Sequence, residues 1–174
     1  MQVAREKLKT NIVEYILYMY HIEDVIRANH LSIEELEKNI ISKYSLPNSQ
    51  QDDVRTWYAD LIAQMKKDDA MKQGHISVLR EMIFNLNDLH IQLINTLEEG
   101  VYLEQYQYAS PFIKELKDKM GNAELTEIEV CFNGLYGFML LKMKGNTITQ
   151  ETSEAMTVFG QLLRYLSKKH HERV

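Results

Sequence analysis

"IVEYILYMYHIEDVIRANH", residues 12–30, decides the fold class. Ile12, Ile16, Met19, Glu23 and Ile26 stand at offsets of 0, 4, 7, 11 and 14, the rhythm of one helix face and not the alternation of a strand. The same register puts a carboxylate, Glu23, on the stripe that should face the core. Arg27 follows one turn later, about 40° further round at the edge of that stripe. A charge in a core slot needs a partner. The stretch therefore predicts a helix and marks a candidate site at once.

The helical rhythm continues in both directions. The first helix reads as one piece from about Val3 to Asn29. Ser32 and Glu35 form a capping-box signature ahead of a second helix with Ile33, Leu36, Ile40 and Tyr44 on its apolar face. "SLPNSQQ", residues 45–51, is the expected loop to the third helix, because Pro47 disfavours helix at Leu46. Ser49 caps that helix, Val54, Trp57, Tyr58, Leu61 and Met65 face inward, and Gly74 punctuates its end. A fourth helix holds Leu79, Met82, Leu86, His90, Leu93 and Leu97 in register. Gly100 reads as a stop before a tyrosine-rich turn or short helix. Ser110-Pro111 then opens a further piece that closes at Gly121-Asn122. The sixth helix covers about 124–144 and ends at Gly145-Asn146. Thr149 caps the last, with Met156, Phe159, Leu163 and Leu166 on one side. No alternation of strand type is sustained and no internal repeat occurs. The expectation is an all-α single domain over residues 1–174, a compact bundle of about six to seven helices, with 170–174 as a frayed tail.

Composition supports this. Hydrophobic residues make up 45% and charged residues 26%, as in folded rather than disordered chains. With only 7 Gly and 2 Pro there is little punctuation, which favours long helices. A net charge of −5 argues against a nucleic-acid footprint, which needs clustered Lys and Arg. The single cysteine, Cys131, cannot form an intramolecular disulfide and fits a reducing compartment. The start of the chain has no apolar signal core, and the longest apolar stretches are too short or too interrupted to span a bilayer. A cytoplasmic protein with no membrane or nucleic-acid partner is expected.

Three segments in order, "REKLKTNIVEYILYMYHIEDVIRANHLSIEELEKNIISKY", "GHISVLREMIFNLNDLHIQLI" and "EVCFNGLYGFMLLKMK", resemble an uncharacterised bacterial family of small all-helical proteins, a domain of unknown function. The resemblance spans essentially the whole chain, and the first segment carries most of it. It implies an all-helical, single-domain, bacterial protein. It implies no catalytic residue and no ligand.

The candidate site is polar and sits on core faces. Glu23 and Arg27 are i, i+4 partners. His90 takes a core slot between Leu86 and Leu93, and His30 returns to the face of Ile12. A buried carboxylate beside an imidazole can do acid–base work, since burial shifts both toward neutrality. The simpler role is a satisfied polar network that fixes helix register. Metal chemistry lacks its pattern: no Glu has His three residues on, and no His-x-x-x-His occurs. "HIE" at 21–23 lacks the Pro-Cys-x-x-Cys that a zinc deaminase needs, and His170-His171 is a weak terminal pair. Cys131 reads as a small buried hydrophobe. No Gly-x-Ser-x-Gly elbow and no P-loop is present, so no cofactor is expected. Tyr102, Tyr106, Tyr108 and Phe112 stand among Glu98, Glu99 and Glu104, which would repel phosphates; covering the core is the simpler role.

Two helices are apolar nearly all round. In the sixth, Val130, Gly134, Gly137 and Leu141 form a second stripe behind Ile128, Phe132, Leu135, Tyr136 and Met139. Each mid-helix glycine costs roughly 1 kcal/mol relative to alanine, so close packing is expected against that stripe. The leading expectation is a non-enzymatic helical protein acting through protein contacts, as a homodimer. The first rival is a small-molecule binder or enzyme with a polar pocket around Glu23, Arg27 and His90. The second is a DNA-binding regulator using residues 32–65 as a helix-turn-helix, disfavoured by the acidic "EELEKN" and "QQDD".

Overall fold

In the computed structural model, residues 2–44, 47–95 and 99–173 are described. Among them the chain forms eight α-helices, one 3-10 turn and no strand. They are α1 (Gln2–Thr10), α2 (Ile12–Ala28), α3 (Ile33–Asn39), α4 (Asn48–Lys67), α5 (Ser77–Asn95), α6 (Gly100–Met120), α7 (Glu127–Met143) and α8 (Gln150–His171). The 3-10 turn, Ile41–Lys43, follows α3. The all-α expectation holds, but the helix count is eight rather than six to seven.

The extra helix comes from a break at Asn11. The Ile12 amide leaves the helical ladder and donates instead to His171 Nε2 at 3.2 Å. The Asn11 side-chain oxygen accepts from the Ser167 hydroxyl at 3.0 Å. Thr10 closes α1 by donating its hydroxyl to the Glu6 carbonyl. Beyond the break the predicted phase is right: Ile12, Ile16, Met19, Glu23 and Ile26 are all buried.

Other boundaries shift for local reasons. Ser32 accepts from the Glu35 amide, but the Glu35 carboxylate turns to His30 rather than closing the box. The segment expected as a loop at 45–51 is helical from Asn48, and Ser45 and Leu46 lie outside the described residues. Leu97 and Glu98 lie outside them as well. Ser110-Pro111 does not open a helix, because α6 runs through it. Pro111 has no N–H for the Gln107 carbonyl, and the Ser110 hydroxyl donates to that carbonyl at 3.3 Å in its place. α7 begins at Glu127 because Thr126 and Glu129 form a complete capping box, with both arms present. Gly121 and Gly145 end their helices with φ of 65° and 71°. The residues expected to fray continue α8 to His171, and Arg173 donates to Gln92.

The chain gathers into two compact units, Met1–Thr10 with Glu14–Arg80, and Asn11–Val13 with Glu81–Val174. The first buries Met19, Ile26, Leu36, Tyr58, Met65 and Leu79. In the second, α6, α7 and α8 pack against one another. Tyr102, Ile113, Phe132, Phe159 and Leu163 are buried there.

Candidate functional site

Glu23 is fully buried, and its partners come from the connection between α4 and α5, not from Arg27. One carboxylate oxygen lies 2.5 Å from His75 Nδ1. The other accepts the Ile76 amide at 2.9 Å. Ile76 immediately precedes α5, whose first amides have no intrahelical acceptor. The next amide, Ser77, donates to Asp68 at 2.7 Å. Two carboxylates thus cap α5, at the end where the helix dipole favours negative charge. The Ser77 amide, followed by the Gln64 side chain, also holds the Asp68 carboxyl below the usual carboxylate range. The Tyr20 ring stacks on His75 with centroids 3.4 Å apart and planes 3° from parallel.

Arg27 grips the same connection one turn further along α2. Its guanidinium donates to the Ala70 carbonyl at 3.0 Å, to the Gly74 carbonyl, and to Asp24 at 2.8 Å. The ion pair along the helix is therefore Asp24–Arg27 and not Glu23–Arg27. Arg27 lies at the stripe's edge, where a planar fork can reach backbone oxygens of a neighbouring loop. His30 joins neither group. α2 stops at Ala28, and His30 and Leu31 take left-handed φ of 55° and 54°. The His30 side chain is 79% exposed and pairs with Glu35.

His90 belongs to the second unit and anchors a separate chain of hydrogen bonds. Its Nδ1 lies 2.7 Å from the Tyr102 hydroxyl, and its Nε2 lies 3.1 Å from Glu127 Oε2. The Tyr106 hydroxyl donates to Glu127 Oε1 at 3.2 Å. Donor and acceptor roles follow from the two ends. The His90 hydrogen bond, aided by Tyr106, holds the Glu127 carboxyl below its usual range. Glu127 therefore accepts, and His90 donates to it from Nε2. Burial pushes the Tyr102 hydroxyl well above its usual range, so it keeps its proton. Glu127 is the more open end of this pair, with 37% of its side chain exposed against 2% for His90.

The stripe on α7 divides. Val130 is in the core. A Cβ on Gly134 would meet Leu116 at 2.8 Å, with Phe159 and Met156 just beyond, so this glycine admits α6 and α8 of its own unit. A Cβ on Gly137 would meet nothing within 4 Å, and Leu141 is exposed. Cys131 is buried, and burial pushes its thiol well above its ordinary range. Among the described residues no three His, Cys, Asp or Glu side chains are grouped as metal ligands, and no helix is long and apolar enough to cross a membrane.

Residue-type spacing pointed to Glu23 and His90 but missed His75, Asp68 and Glu127. His75 and Asp68 lie on an irregular connection that has no periodicity to read. Glu127 had a readable signal, the Thr126-x-x-Glu129 box that makes it the first residue of α7. A family model described as a domain of unknown function matches residues 1–174. No curated protein and no solved structure matches the chain.

Proposed function

The chain belongs to the family of that description, DUF4924, and from this premise we propose that it is a non-enzymatic protein of the bacterial cytoplasm acting through protein contacts, first of all with a second copy of itself. The observation that carries the reading is the C-terminal half of α7. No residue of this helix after Phe132 is buried, yet the sequence stays apolar through Leu135, Phe138, Met139 and Leu140. Leu141 and Met143 are exposed by 40% and 64%. A helix without a polar face belongs inside a bundle or in an interface, and contiguous exposed apolar surface marks contact sites. The lone buried cysteine supports a reducing compartment.

Light scattering at low micromolar concentration should give the mass of a dimer. Leu141→Lys with Met143→Lys should return it to a monomer while leaving the helical circular dichroism unchanged. A monomeric mass for the parent chain overturns the proposal.

A further inference from the structure

Where α6 passes Pro111, its surface and the first residue of α7 form an open cleft of about 450 Å³. Ser110, Pro111, Ile113, Lys114, Lys117 and Glu127 line it. The volume is that of a small-molecule site. We propose that this cleft binds a small zwitterion of the amino-acid class, its ammonium group on Glu127 and its carboxylate on Lys114 and Lys117.

The charges argue for such a ligand. Glu127 is held from behind by His90 Nε2 on one oxygen and by the Tyr106 hydroxyl on the other. These two partners orient the carboxylate, one on each oxygen. Each oxygen has a further acceptor position. His90 is buried and itself held by Tyr102, so the carboxylate stands on a rigid support. Lys117 is near enough to favour the charged form of Glu127, yet no ion pair joins them. Among the described residues neither Lys114 nor Lys117 has an ion-pair or hydrogen-bond partner. A fixed anion and two unpaired cations thus share one cleft. A simple cation would be repelled by the lysines and a simple anion by Glu127. A molecule carrying both charges meets each with its opposite, and its carbon chain can lie on Pro111.

The test is a nuclear magnetic resonance titration of the 15N-labelled full chain with glycine, 3-aminopropanoate and 4-aminobutanoate, a series of growing charge separation. Propanoate and propylammonium supply each charge alone. The expected result is a saturable shift of the Lys114, Lys117 and Glu127 amides at millimolar concentration with a member of the series. Either singly charged probe should bind at least about tenfold more weakly, a difference of about 1.4 kcal/mol. Glu127→Gln should abolish the shift. Lys114→Ala with Lys117→Ala, on the surface of α6, should weaken it about tenfold and serves as the test if Glu127→Gln does not fold. No saturable shift with any member, equal binding of propanoate or propylammonium, or unchanged binding in the lysine variant overturns the proposal. The site lies at the start of α7, so its failure leaves the contact surface at the helix's other end standing.

Discussion

Glu23 holds its core position because a buried carboxylate with two donors is satisfied there, and the donors belong to the residues that start α5. Removing the acceptor leaves the Ile76 amide and the His75 ring without it. Glu23→Ala should therefore destabilise the chain by about 3 kcal/mol, within the range for an unpaired buried polar group. Glu23→Gln, which keeps one carbonyl acceptor, should cost about half as much. Urea melts measure both, and faster hydrogen exchange at Ile76 should accompany them. Equal stability of all three proteins would remove the cap. Glu127 supplies the pH dependence. Its carboxyl is depressed in the folded protein, chiefly by His90, so the unfolded chain binds the proton more readily. The stabilisation is present in full above the ordinary carboxylate range and is lost as pH falls through the depressed value. Thermal melts from neutral to acid pH should show a shallower acid limb for Glu127→Gln than for the parent.

Among the elements, α6 carries the plainest local conflict. Pro111 stands in its interior, where proline removes a hydrogen bond and opposes helix by about 3 kcal/mol. The Ser110 hydroxyl offsets part of this by donating to the Gln107 carbonyl. Pro111→Ala restores the amide donor but frees the unfolded chain, which offsets up to about 1 kcal/mol. The net should be a gain of about 1–2 kcal/mol. Ser110→Ala should cost about 0.5–1 kcal/mol in the parent and close to nothing beside Pro111→Ala, because the carbonyl then has its ordinary partner. A double-mutant cycle by denaturant melts reads this coupling. Independent effects would mean the hydroxyl does not stand in for the missing amide.

For the whole molecule, self-association through α7 makes stability depend on concentration. A dimer that binds native chains and not unfolded ones raises the melting temperature by mass action. The midpoint of the parent should climb over a hundredfold range of concentration, by roughly 2.7 kcal/mol of linkage when the partner exceeds its dissociation constant a hundredfold. The Leu141→Lys, Met143→Lys variant should melt at one temperature throughout. A concentration-independent parent midpoint would count against the dimer.

Helical class, the buried stripe of α2, the core of α8 and the glycine ends of α6 and α7 were all legible in the sequence. Each rests on neighbours three or four residues apart, and local spacing is what a sequence displays. The capping box of α7 was equally local, and it is written in "TEIE", residues 126–129. The break at Asn11 was not legible, because it depends on Ser167 and His171, more than a hundred and fifty residues away. The partners of Glu23 and Arg27 were hidden for the same reason, since both reach across to residues 70–76. Gly134 and Gly137 look alike in sequence; only packing separates the one pressed by Leu116 from the one with open space. Local hydrogen bonds and periodicity made the helices, and tertiary structure chose their breaks and the partner of every buried charge, because a buried polar group is satisfied by whatever donor the fold brings to it.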